Sequence, residues 1–176
     1  TPLRAAARPV GPADVEGWLA ELGLAPEARV ERDSATAWDL ELDGRRRFGV
    51  KVTLILDPAL ALIAWVHFAP PIGDAYRKSY RKLLRWNDEF PFVKFAGAED
   101  DRPILTAELA VERVDRDELG LTLARLLAIC DQLLEESAAW IWYGGRIPAQ
   151  GERTCRNLGL FSRYAERLGE LGPSPS

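Results

Sequence analysis

Residues 76–134 constrain the fold of this chain more than any other stretch. Tyr76, Tyr80, Leu83, Leu84 and Asn87 fall on one stripe of a helix predicted over residues 74–87, with Arg77, Lys78, Arg81, Lys82 and Arg85 on its other side. Pro91 ends that pattern. Val93 and Phe95 flank Lys94 in a short strand that runs out at Gly97. The acidic Glu99-Asp100-Asp101 turns the chain, and residues 104–111 read as another strand. A long helix opens with Asp115 three residues before Glu118, close to a capping box. It carries Leu119, Leu123, Leu126, Leu127, Cys130, Leu133 and Leu134 at helical spacing. The block is architecture without catalytic apparatus, made to pack against something.

Upstream, Pro12 suits a first helical turn, and Val15, Trp18, Leu19 and Leu22 recur at i, i+3, i+4 and i+7 in a helix stopped by Gly23. Three strands are expected next. Trp38, Leu40 and Leu42 alternate with Asp39 and Glu41, and Asp43-Gly44 reads as a hairpin-type turn. Phe48, Val50, Val52, Leu54 and Leu56 alternate through a second strand, which Asp57-Pro58 ends. The third, over residues 60–68, differs: Leu62, Val66 and Phe68 lie on one face, and Ile63 and Trp65 on the other. A strand apolar on both sides is expected to be covered on both sides.

A chain of 176 residues suits one domain with an extension, and needs no disulfide or metal to complete its core. A net charge of −4 argues against indiscriminate nucleic-acid coating but leaves room for a local basic patch. Cys130 and Cys155 are too few for a disulfide scaffold, and Cys130 reads as a buried thiol. No apolar run is long enough to span a membrane. No signal-peptide pattern opens the chain, although it begins at Thr1 without Met, and a cytoplasmic location is the expectation. Residues 1–10 read as a flexible tail, 11–138 as the folded domain, and 139–176 as a C-terminal extension. In that extension Trp140, Trp142 and Tyr143 crowd together, Gly144-Gly145 breaks, and a short helix near Leu158 to Leu168 precedes a disordered end.

The element order α-β-β-β-α-β-β-α, the segment RWNDEFPFVKFAGAEDDRPILTAELAV and the helix VDRDELGLTLARLLAICDQLLEE together resemble the YbjN family. That family is structurally similar to the type III secretion chaperones of the Tir-chaperone class. The resemblance covers residues 12–136, and its most specific part is 84–134. It implies an α+β type III secretion chaperone-like module: an antiparallel sheet with helices packed on it, dimeric, non-enzymatic and without cofactor. Such a module would hold a segment of a client protein or act as a regulatory adaptor. The family has no agreed catalytic residues to carry over, and the section after Glu136 departs from its pattern.

Candidate sites are weighed against simpler readings. His67, the only histidine, shares a strand face with Ile63 and Trp65 and has no ligand or catalytic cluster near it in sequence, so a structural or surface role is expected. Carboxylate neighbours such as Asp39 with Glu41 look like solvated strand faces. The basic residues Arg77, Lys78, Arg81 and Arg85 interleave with Tyr76, Tyr80 and Trp86, a mixture suited to phosphate contact and stacking. A solvated helix paired with acidic residues such as Glu89 is the commoner arrangement. The apolar face of Ile63 and Trp65, with Trp38 placed near it, is a candidate partner-binding surface; the C-terminal segment, a second subunit or a client peptide are its possible covers. The leading expectation is therefore a homodimeric adaptor gripping a partner at Trp38, Ile63 and Trp65. Arg77, Lys78, Arg81 and Arg85 would steer the encounter. A nucleic-acid-associated module using the basic helix is the alternative, and no membrane or metal partner is expected.

Overall fold

The computed structural model describes residues 8–70, 77–136 and 152–169. Most of the expected N-terminal tail, Tyr76, the Trp140–Trp142–Tyr143 cluster, Gly144-Gly145 and the chain's last residues lie outside them. The described elements are α1 (Pro12–Glu21), β1 (Ala28–Arg32), β2 (Ala35–Leu42), β3 (Val50–Asp57), β4 (Ala61–His67), α2 (Arg77–Glu89), β5 (Lys94–Gly97), β6 (Pro103–Ala110), α3 (Arg116–Glu136), α4 (Leu158–Arg163) and α5 (Ala165–Leu168). The strands form one antiparallel sheet in the order β1-β2-β3-β4-β6-β5. This is the expected α+β fold with one strand more than the five anticipated.

The extra strand is β1. Its five residues, Ala-Arg-Val-Glu-Arg, are all exposed, so it carries no alternation to betray it. Backbone pairing to β2 holds it, with Val30 opposite Ala37. A carboxylate helps: Glu16 of α1 accepts from Arg29 Nε at 2.7 Å and from the Trp38 indole at 3.1 Å, tying helix, edge strand and core together.

Strand alternation divides the sheet into two faces. Trp38, Leu54, Ala64 and Ala107 form one inward row across four strands, and Leu40, Val52, Val66, Leu105 and Phe95 form the next. These residues are buried in one core with Val15 and Leu19 of α1, Leu83 and Trp86 of α2, and the leucines of α3. The helices therefore sit on a single face of the sheet. Within α3, the Asp115 carboxylate accepts from Glu118 N–H at 2.8 Å, the helix-opening contact anticipated from the spacing.

Three local expectations are corrected. In α2 the buried stripe is Ser79, Leu83, Trp86 and Phe90, while Leu84 is 71% exposed. The helix is rotated by about one position from the stripe read in sequence, because Trp86 and Phe90 bring more apolar area than Leu84. Asp43-Gly44 is not a tight hairpin turn; it begins a longer β2–β3 connection over residues 43–49. The last helix is interrupted at Tyr164 and becomes α4 and α5.

Candidate functional site

The face of the sheet turned away from the helices carries the candidate site. Cross-strand register sets Trp65 between Thr53 and Thr106, His67 between Lys51 and Ile104, and Ile63 between Ile55 and Glu108. Ile63, Trp65, His67, Ile104 and Thr106 line an open groove of about 990 Å³, rimmed by Lys94, Glu99, Asp100 and Glu108. Trp65 is 37% exposed. Ile63 and Trp65 are thus brought together as expected.

Trp38 is not part of this face. It is 1% exposed, and its position opposite Leu54 turns it into the helix-covered core. Strand parity explains the correction: Trp38 pairs through Leu54 to Ala64, one residue out of phase with Trp65.

Two polar atoms of groove-lining residues, His67 Nδ1 and Thr106 Oγ1, are buried without a hydrogen-bond partner among the described residues. Thr106 is 7% exposed, so its hydroxyl is nearly cut off from water. Burial lowers the His67 pKa; nearby Arg102 adds to this, while Asp100 and Asp39 oppose it. The ring therefore favours its neutral form. Leaving such groups unsatisfied carries a cost of roughly 1–3 kcal/mol each, and they are uncommon in folded proteins.

The groove ends at the β5 edge of the sheet, and that edge is closed. The Asn87 carboxamide donates to the Phe95 carbonyl at 3.1 Å and accepts from the Phe95 N–H at 2.6 Å. One side chain thereby takes the hydrogen-bonding positions that an added strand would need at the middle of β5.

The cationic side of α2 lies elsewhere. Arg81 and Arg85 are exposed, and Arg85 approaches Glu89 at 3.9 Å. Arg77 and Lys78 lie in the helix's first turn; their side chains fall outside the described residues. Because α2 packs on the inner face, with the Trp86 ring 5.2 Å from Phe95, its solvent side and the Trp65 face look out from opposite layers. Arg81 and Arg85 and the apolar contact residues are therefore not one surface. Trp86 is fully buried, and Tyr80 packs against the core, so neither stands on the cationic face as a stacking platform.

The described part of the C-terminal extension also leaves the groove alone. It docks against α3 and the β2–β3 connection. Asp43 accepts from Arg156 Nε at 2.7 Å, from the Arg156 N–H at 3.0 Å and from the Gly49 N–H at 2.9 Å. The Arg156 guanidinium and these N–H groups hold the Asp43 carboxyl down at about 2, against the opposing effect of burial. Asn157 clamps the Asp43 backbone from both sides, at 2.8 and 2.7 Å. Asp131 of α3 accepts from three successive backbone N–H groups, those of Arg45, Arg46 and Arg47. Tyr164 donates its hydroxyl to Asp117 at 2.9 Å. Of the covers considered for the Trp65 face, the final helix is excluded, since α4 and α5 pack on α3, while the Trp140–Tyr143 segment lies outside the described residues.

Sequence reading missed Thr106 as a groove residue and Asn87 as an edge clamp. A signal was present for Thr106, which alternates with Ile104 and Glu108 on the same side of its strand as Trp65's partner position. The placement of His67 beside Ile63 and Trp65 is as expected from alternation along β4, and register adds that it lies diagonal to Thr106. Among the described residues, no group of three or more His, Cys, Asp or Glu is arranged to hold a metal ion, and no helix is long and apolar enough to cross a membrane.

No curated protein matches the chain. The YbjN family model, described as "Putative bacterial sensory transduction regulator", matches residues 12–138. That span takes in every element from α1 to α3, including the three strands of the groove and the Asn87 clamp, and the chain belongs to the YbjN family.

Proposed function

We propose that this protein is a non-enzymatic regulatory adaptor that binds a segment of a partner protein on the open face of its sheet, and that it works as a homodimer. The observation that carries the reading is the groove at Ile63 and Trp65, apolar at its floor and with no described helix over it. Exposed aromatic residues in such a setting contribute heavily to association, because they add area with little rotamer entropy to lose. The family's regulatory description supports the same direction. Catalysis has no comparable support, since the groove's polar groups form no acid–base pair or nucleophile with its base.

The nucleic-acid alternative rests on the cationic side of α2. Cations alone favour phosphate contact, but the two described aromatics, Tyr80 and Trp86, are packed inward and supply no stacking platform.

Affinity capture from the source cells with wild type, Trp65→Asp and the double variant Arg81→Glu/Arg85→Glu separates the two. A partner lost only from Trp65→Asp, at unchanged melting temperature, is the expected result. An identical partner list for all three proteins would remove the groove from consideration. Nucleic acid lost only from the charge-reversed protein, with a steep dependence on salt, would favour the alternative.

A further inference from the structure

We infer that the free half of the β6 edge is a docking site for an extended segment of a partner protein. The segment adds to the sheet as one more strand through the main chain of Glu108 and Ala110, and carries apolar side chains opposite Ala107 and Leu109. The site is separate from the Trp65 groove and does not depend on it.

Register leaves this stretch open. β6 pairs with β4 along residues 104–110, but β5 covers its other side only from Pro103 to Thr106. The chain leaves that side around Phe92, whose φ of 67° is a left-handed value uncommon in a bulky residue. Hydrogen-bond parity fixes what is exposed. Asn87 holds the Phe95 N–H and carbonyl on the side away from β6, so Leu105, opposite Phe95, turns its own groups toward β4. Successive residues turn opposite ways: Ala107 and Leu109 bond β4, while Glu108 and Ala110 aim at the open side. Among the described residues, the Glu108 N–H, the Glu108 carbonyl and the Ala110 N–H have no hydrogen-bond partner there. Only the Ala110 carbonyl is taken, by the Arg113 and Val114 N–H groups. Glu108 and Ala110 are both exposed, so a partner chain can reach them.

Three main-chain groups at strand spacing select an extended main chain, because a helix has already used its own backbone groups internally. Side chains of an added strand alternate between the two faces. Those opposite Ala107 and Leu109 point to the helix side, as these two residues do. Two hollows flank Glu108 along the edge. One, of about 360 Å³, lies beside Phe92, Val93 and Ala107; the other, of about 470 Å³, lies beside Leu109 and Val114. Phe92 is 70% exposed, and the Arg125 guanidinium stacks 4.4 Å from its ring centre, which holds the ring in place as one wall. The residue between the two apolar positions sits opposite Glu108 and projects to the other face. There Glu108 meets Lys94 at 3.3 Å, so a polar side chain suits it.

A second copy of this chain fits the edge less well. Two copies paired through Glu108 would set their Glu108 carboxylates directly or diagonally opposite, where like charges destabilise a ladder.

The test selects a displayed library of random segments about seven residues long, roughly 23 Å when extended, on the full chain. Enriched peptides are titrated by fluorescence anisotropy, and β-branched or aromatic residues at alternate positions are expected to dominate. By NMR-detected hydrogen exchange, the Glu108 and Ala110 amides should be unprotected in the free protein and slowed at least about tenfold in the complex. N-methylation of the peptide residue between its two apolar positions should weaken binding roughly tenfold, as a lost main-chain hydrogen bond with a stranded carbonyl does. Glu108→Pro removes the free donor without touching the β4 ladder and should weaken binding by a similar factor. Glu108→Gln and Trp65→Asp should bind within about twofold of wild type, since neither alters that main chain. Should Glu108→Pro not fold, the N-methylated peptide and the amide exchange decide alone. Peptides without alternation, an N-methyl group without effect, or amides still unprotected in the complex would overturn the inference. Protection of these amides in the free protein would also overturn it, assigning the edge to a second copy if it varied with concentration and to the chain itself if it did not. Peptides lost from Trp65→Asp but kept by Glu108→Pro would belong to the groove, and the edge site would fall while the groove reading stood.

Discussion

Trp38 and Trp65 show how one residue type takes opposite roles. Each sits in a strand of alternating pattern, yet one is sealed in the core and the other stands in an open groove. Side-chain chemistry does not separate them; strand parity does. Asp43 makes the same point for charge. In the sequence it is a turn residue before Gly44, but in the fold it is 2% exposed and takes four hydrogen bonds from Gly49 and Arg156. Its carboxyl is lowered from 3.8 to about 2. A depressed carboxylate contributes stability that is complete above its unfolded value and disappears as pH falls through the folded one. The contribution here is about 2 kcal/mol, lost between roughly pH 4 and pH 2. Hydrogen exchange followed segment by segment should show residues 152–169 losing protection in that window before the sheet does. Asp43→Asn should show the same loss at neutral pH. Full protection of the segment in that variant would mean that Arg156 does not hold it through this carboxylate.

At the scale of elements, the two edges of the sheet are managed differently. β1 is short and charged, with Arg29 bridged to Glu16 and Glu31, which discourages an incoming strand. β5 is guarded by Asn87, whose carboxamide imitates a neighbouring peptide group. Removing that guard exposes a flat, unpaired edge beside an apolar groove. Asn87→Ala should lower stability by roughly 1–2 kcal/mol and produce concentration-dependent self-association in sedimentation velocity, where wild type sediments at a size independent of further concentration. Asn87→Asp keeps the acceptor for the Phe95 N–H and loses the donor, so it should fall between the two. A variant as stable and as well behaved as wild type would show that water satisfies the edge unaided. The same element scale explains why β1 escaped the sequence: a strand held by backbone pairing and surface ion pairs, with every side chain exposed, carries no apolar alternation.

On the scale of the whole molecule, the C-terminal segment acts as a clasp on the helix layer. Gly120 makes this possible, because a Cβ there would overlap the Tyr164 hydroxyl and ring. Gly44 serves the other end in the same way, beneath the Asp131 carboxylate. Gly120→Ala should push Tyr164 off α3 and speed proteolytic cleavage within 152–169, at a cost of about 1–3 kcal/mol. Binding at the opposite, open face should persist. Simultaneous loss of both would mean that the clasp and the groove are coupled through the sheet.

Local periodicity made α1, β2 to β4, β5, β6 and α3 legible from the chain alone, because each side chain's polarity reports the face it occupies. The same patterns marked Ile63 and Trp65 as apolar residues on a second face. Hydrophobic alternation says that a strand has two faces, but not which neighbour covers them. Tertiary structure alone decided that all the described helices gather on one face, that Trp38 turns inward, and that Arg81 and Arg85 of α2 look away from Trp65. It also decided that Thr106 and His67 meet in the groove, that Asp43 holds Arg156 and Asn157 of the C-terminal segment, and that Asp131 holds the backbone of residues 45–47. Those outcomes depend on register and on contacts between residues far apart in the chain, which no local pattern encodes.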